Sequence, residues 1–532
     1  MAVAINTAVI IGFIAVSIAT LGLTLGTLIV SATQSNPTIL PPLQQTLQCD
    51  RFREPRRQNA ALNRIRAALR NAESPAFCPN SNGDPAVGRF SKGLPHDPVT
   101  GEVDPTAYNT LISVLDDTRR FEDIVLHPQA VNKLVNPQGG LAFPLIGGDS
   151  FSFSIPPAPA FNSSQIAHEF VELLWMSATR DIPFADYSTD SLIARASAQL
   201  GENVTFRGTA PGCEKGPYLS QFFYLPCSYG VNTINLKITP QLPGRDYLTS
   251  WVEFKNVQNG KAPTFAEIST TPDRYMINGR DLAHWVHRDM LQQAYHMAAM
   301  TLLAMNAQFA STNPYLNSLN QQGFVTFGGP FVSTMLTEVA LHALNAIWAQ
   351  KWYVHRHLRP EEYGGRVHAM RASLASYDID AFALSGDVQA LSFAAHGTYL
   401  LPMAFPEGCP LHPSYGSGHA TVAGASITVL KALFRGDYVI PNPLQPDSTG
   451  ANTVPYTGPD TLTVEGELNK IAANIAYGRN IAGVHWRSDA VESLLLGERV
   501  AIAFLRDYRD TYSETGFTRW EFNGFQGNAI SV

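Results

Sequence analysis

The 532-residue chain carries 37 Lys and Arg against 44 Asp and Glu, a formal net charge of −7, and has 45% hydrophobic but only 15% charged residues. It contains no polybasic tract and no interleaved aromatic–basic motif, which argues against nucleic acid as a partner. The low charged share points instead to a large core with extensive helix–helix or subunit contacts.

Residues 8–31 are apolar, uncharged and long enough to span a bilayer. They read as a membrane anchor or an export signal through which the protein is exported or membrane-associated, or else as an apolar arm against a neighbouring subunit. The first basic residue is Arg51, so no positively charged segment precedes the run. We divide the chain into this apolar segment (1–34), an N-terminal helical region with hairpins (35–277) and a helical catalytic region (278–532). The five cysteines, Cys49, Cys78, Cys213, Cys227 and Cys409, form no C-x-x-C pair, which argues against zinc, iron–sulfur and dithiol redox sites. Cys213 with Cys227, and Cys49 with Cys78, can be bridged in an exported protein. Reduced, buried thiols are the alternative.

Residues 51–72 read as a basic amphipathic helix and 108–126 as a second helix. A third, opened by a Ser163 cap, runs to Ala178. Between 201 and 277 the pattern alternates, notably at 233–238 and 247–254, and predicts minor β-hairpins on a helical body. A long helix is predicted over 280–305, carrying His287 and His296, which read as structural histidines. Further helices are predicted at 333–358, 365–377, 380–394, 465–478 and 484–508.

Three segments carry chemistry. The first helix, through Trp348, ends in a cationic cluster in which Lys351 and Arg359 lie eight residues apart before Pro360. In the second, His412-Pro-Ser-Tyr-Gly-Ser417-Gly418-His419 opens an apolar helix, whose unpaired first-turn N–H groups and dipole favour an anion. In the third, Arg479 precedes His485 and Asp489, which lie one helical turn apart. Taken singly, each has an ordinary reading, as a glycine-rich helix start or a solvated face.

Together, the Lys-(x)n-Arg-Pro, Pro-Ser-…-Gly-His and Arg-(x)5-His-(x)3-Asp pattern resembles the vanadium-dependent haloperoxidases, a superfamily shared with acid phosphatases. The stretches KWYVHRHLRPEEYGG, HPSYGSGHATVAGASITVLKA and NIAYGRNIAGVHWRSDA are similar to the algal and cyanobacterial bromoperoxidase branch. The resemblance implies a mainly all-α fold of paired four-helix bundles, with the site at the end of one bundle. It implies vanadate as cofactor, with phosphate able to occupy the same site. Lys351, Arg359 and Arg479 would supply charge to it, Ser417 and Gly418 hydrogen bonds, and His485 the metal ligand.

By the same resemblance, Asp489 would be the hydrogen-bond partner of His485 or a brace for the adjacent loop, His419 would be the acid–base group, and His412 would be the second histidine of bromoperoxidases. Trp348 departs from this pattern, standing where several algal bromoperoxidases have arginine and chloroperoxidase-like enzymes have tryptophan. The implied partners are hydrogen peroxide, bromide or iodide and small electron-rich organic compounds, in a homo-oligomer of dimer size or larger. The alternative within the superfamily is a phosphomonoesterase acting through a phosphohistidine. A non-enzymatic anion-binding protein is a third reading, which leaves His419 without a purpose.

Overall fold

The computed structural model describes residues 86–532, apart from Asp117. The apolar run 8–31, the basic helix expected at 51–72, and Cys49 and Cys78 lie outside the described residues. No helix among the described residues is long and apolar enough to cross a membrane.

The helix Gly418–Leu433 is apolar on every side, the pattern of a helix buried all round. Each of its residues but His419 is buried. Around it pack Gly329–Ala349, Val464–Ile481 and Arg487–Arg509, a four-helix bundle whose members meet in pairs along their lengths. Contact with Arg487–Arg509 is closest because glycines face each other there. A Cβ on Gly424 would lie 2.1 Å from Leu494 O, and one on Gly497 would lie 2.2 Å from Thr421 O. The hydroxyls of Thr421 and Thr428 bond back to carbonyls of their own helix, so their burial leaves no unpaired donor.

The mainly helical expectation holds: strands among the described residues amount to three short antiparallel hairpins. Several boundaries differ, each for a local reason. The helix expected over 108–126 is Pro105–Leu115, opened by an Asp104 cap and ended at Asp116. Ser163 caps Ser164–Ala178 as expected. The hairpin reading of 201–277 survives as Ser228–Tyr229 paired with Asn232–Thr233.

The alternation at 247–254 is not a strand. Ser250 accepts from the Glu253 N–H and starts the helix Trp251–Gln258, which buries Phe254 and Val257. The expected long helix 280–305 is two helices, Gly279–Arg288 and Gln293–Ala304, broken where Asp289 turns extended. The helix expected at 365–377 begins instead at Pro360, whose missing N–H costs nothing at a first turn. That expected at 380–394 is divided into Ala381–Leu384 and Asp387–His396 at Gly386 (φ 153°). Cys213 and Cys227 are separate buried thiols, so the bridge considered for them is absent.

The glycine contact yields a stability prediction. Gly424→Ala should lower the unfolding free energy by about 1–3 kcal/mol through overpacking, read as a lower urea midpoint at unchanged slope. An unaltered midpoint would show that the two helices can part without cost.

Candidate active site

The helix Gly329–Ala349 does not stop at its last regular turn but widens over Gln350–His355 and ends at Arg356 in the left-handed region (φ 48°). That widening turns Lys351 inward, where its Nζ donates to Pro413 O (2.8 Å) and Ser414 O (3.0 Å). Arg359 is the N-cap of the next helix, Pro360–Arg371. Its Nε donates to His412 O (2.8 Å) and its Nη1 to Val484 O (2.7 Å). Arg479 comes from the last turn of Val464–Ile481; its Nη1 donates to Val286 O (2.7 Å), and the guanidinium lies over Phe405. All three cations are buried.

Between them the 412–419 loop enters the central helix. Ser417 is the N-cap, accepting from Ala420 N–H and donating its own N–H to Ser493 Oγ at 2.8 Å. Gly416 is required by space, since a Cβ there would lie 2.1 Å from Ser493 Oγ. Gly418 has Trp348 against it, 3.2 Å from where a Cβ would be. The Gly418 and His419 N–H groups open the helix and have no partner within it.

His485 directly precedes the helix Arg487–Arg509, and Asp489 occupies the first turn of that helix. Asp489 Oδ2 accepts from His485 Nδ1 (2.7 Å), Ser414 Oγ (2.5 Å) and Trp486 N–H (3.1 Å). With its Nδ1 proton on the carboxylate, His485 keeps its Nε2 lone pair, and Arg359 Nη1 lies 3.0 Å from it. Burial, and then the charges of Arg359, Lys351 and Arg479, push the His485 pKa well below its ordinary value, so the imidazole is neutral. His412 is held down by burial and the same cations. His419 is also lowered by burial, opposed by Asp289, whose Oδ1 lies 3.0 Å from His419 Nε2.

Burial and the neighbouring Arg359 charge force Lys351 well below its usual pKa, and burial brings Arg479 down to about 10. Among the described residues, Arg479 Nε is buried with no hydrogen-bond partner. The groups gathered here are three cations, a hydroxyl, helix-start N–H donors and the imidazoles of His412, His419 and His485. That donor set fits a multiply charged oxyanion with one coordination position for nitrogen.

Lys351, Arg359, His412, Ser417, Gly418, His419, Arg479, His485 and Asp489 thus come together. Trp348 is a wall of the site and does not donate into it. Its indole N–H bonds to Val135 O (3.2 Å), while its ring lies 4.9 Å from that of His412 and 5.9 Å from Lys351 Nζ. The sequence reading missed Asp289, Val286 O and the Ser414 hydroxyl. The polar run Arg288-Asp289 was the available sign of a helix break, but the apolar periodicity on both sides concealed it.

The family model described as "VCPO second helical-bundle domain" matches residues 332–514. The vanadium-dependent bromoperoxidase of Ascophyllum nodosum is 34% identical over 519 residues, 90% of this chain and 92% of that protein. That of Corallina officinalis is 33% identical over 551 residues, 85% and 92% of the two. The homohexameric structure of the second vanadate-dependent bromoperoxidase from Ascophyllum nodosum superposes with a TM-score of 0.80 at 28% identity, covering 94% of each chain. Identity at this level over most of the chain means that the protein belongs to the vanadium-dependent haloperoxidases, in their bromoperoxidase branch.

Proposed function

We infer that the protein is a vanadate-dependent haloperoxidase that uses hydrogen peroxide to oxidise bromide and iodide to hypohalous acid equivalents, which halogenate electron-rich organic compounds. The observation that carries this reading is the convergence of Lys351, Arg359 and Arg479 on the neutral His485. Vanadate, when bound, supplies a Lewis-acidic vanadium(V) centre that polarises peroxide for oxygen transfer to halide.

The residues divide the remaining work. His485 offers Nε2 as metal ligand while Asp489 holds its Nδ1 proton, fixing tautomer and ring plane. Lys351, Arg359 and Arg479 neutralise the oxyanion, and Ser417 and Gly418 add hydrogen bonds at the helix start. Asp289 engages His419 Nε2 and leaves Nδ1 as the proton acceptor for incoming peroxide. His412 and Trp348, ring against ring, form the wall where halide preference is set, and bromide and iodide are expected ahead of chloride because they are easier to oxidise. A homo-oligomer accords with the homohexameric relative and with side chains as exposed as Val231 (101%) and Leu319 (102%).

The direct test is peroxide-dependent bromination of a diketone by metal-stripped protein, with and without orthovanadate. Activity that requires vanadate and falls with added phosphate is expected. Silence with vanadate, beside hydrolysis of an aryl phosphate, would establish the phosphatase reading instead. His485→Ala should abolish vanadate retention, whereas His419→Ala should keep the anion and lose about 10²–10⁴-fold in turnover; equal loss of vanadate in both would show the roles to be misassigned.

The pH profile follows from the direction of the His419 shift. Its pKa is lowered by burial, so the neutral base persists and the acid limb of kcat should lie below pH 6.5. Asp289 opposes that lowering, so Asp289→Asn should move the limb to still lower pH. An upward move would contradict the assignment of His419 as base.

A further inference from the structure

His287 belongs to no catalytic motif, yet it is held on every side. It lies in the last turn of Gly279–Arg288, next to Val286 and two residues before Asp289. Its Nδ1 is 2.8 Å from Glu267 Oε1 and its Nε2 is 2.5 Å from Glu407 Oε1. The ring stacks on Phe405 with centroids 3.8 Å apart and an interplanar angle of 10°. The Arg479 guanidinium lies over that same Phe405, 5.6 Å from its centroid.

An imidazole between two carboxylates donates from both nitrogens and is therefore the cation. Burial disfavours that charge, but the hydrogen bonds to Glu267 and Glu407 win and raise the His287 pKa above its ordinary value. Burial likewise opposes ionisation of Glu267, yet His287 and Arg288 bring it down to about 2. The other charged or titratable groups facing the cluster are Arg288 and Tyr247 beside Glu267, His284 on the same helix, Arg479 beside Glu407, and Lys92, whose Nζ donates to Glu407 O at 2.7 Å.

The segment so fastened carries two contacts that the active site depends on. Val286 O accepts from Arg479 Nη1 at 2.7 Å, and Asp289 Oδ1 bonds to His419 Nε2 at 3.0 Å. Glu407 and Phe405 sit on the loop that leads into 412–419, so the same imidazole ties that loop to the Val286–Asp289 turn. We propose that His287 is a positioning residue for the haloperoxidase reaction, a clasp between Glu267 and Glu407 that fixes the Val286–Asp289 turn and through it orients Arg479 and His419. The inference rests on the haloperoxidase reading for the reaction affected, but not for the clasp itself. Because a raised pKa stabilises the folded arrangement below it, the clasp holds while His287 is protonated and opens as pH rises through the His287 pKa.

The test compares wild type, His287→Ala, His287→Gln and the milder Glu407→Gln. Hydrogen exchange in the vanadate-free protein should accelerate selectively at 286–291 in His287→Ala. The same segment should loosen in wild type as pH rises, and lose that pH dependence in the variant. Vanadate affinity and kcat should each fall by about 10- to 100-fold, as for other residues that orient a metal site through a neighbour, with bromide KM within about twofold. His287→Gln, able to donate to one carboxylate, should recover part of the loss, and Glu407→Gln should change exchange, affinity and kcat in the same direction as His287→Ala. Wild-type vanadate affinity and kcat in His287→Ala would overturn the proposal. So would exchange that rises across the whole chain with no selective effect at 286–291. Exchange and vanadate affinity need no turnover, so an absence of bromination in wild type would count against the haloperoxidase reading and leave the clasp to be decided by the other two measurements.

Discussion

Lys351, Arg359 and Arg479 are buried together beside His485, and like charges held this close in a low-dielectric interior repel each other strongly. Each cation is depressed by burial, Lys351 and Arg479 also by the Arg359 charge, and Asp489 is a carboxylate set beside Lys351 and Arg359. Such a cluster is stable only on a scaffold that resists relaxation, and it stores a preference for a multiply charged anion. The four-helix bundle supplies that resistance. Its central helix is buried along nearly its whole length and packs glycine to backbone against Arg487–Arg509, the helix that starts just after His485.

The same field keeps the histidines neutral. An imidazole in contact with guanidinium groups and removed from water cannot easily take a proton, and His412 and His485 are both driven well below their ordinary pKa. Neutrality is what the chemistry requires, since a metal ligand needs its lone pair. Asp489 completes the arrangement by taking the opposite nitrogen of His485. His419 sits further out, with Asp289 offsetting part of the burial effect, and so is suited to exchanging protons.

Rigid and adjustable parts divide along the chain. Lys351, Ser417, Arg479 and His485 lie in the bundle helices or at their ends, and Arg359 caps the adjoining helix Pro360–Arg371. The outer contacts, Val286 O to Arg479 and Asp289 to His419, come from a turn between two helices and are fastened by side chains from the 265–270 and 404–409 loops. In the proposed reading the bundle determines which anion fits, and the turn determines how Arg479 and His419 are aimed.

The sequence by itself determined the helical class and singled out the residues proposed to meet the anion. A buried apolar helix with a Ser-Gly-His start, a cationic helix end before Pro360 and a His485-Asp489 pair are local patterns. Their chemistry is set by residue type and spacing within a few turns. Tertiary structure alone decided the rest. Asp289 partners His419 across 130 residues, Ser414 partners Asp489 across 75, and Glu407 reaches His287 across 120. No periodicity encodes such pairs, because each joins segments far apart in the chain. The alternation at 247–254 misled for the same reason. Ser250 could cap a helix or precede a strand, and the helix it caps buries Phe254 against Gly365, residues far apart in the chain.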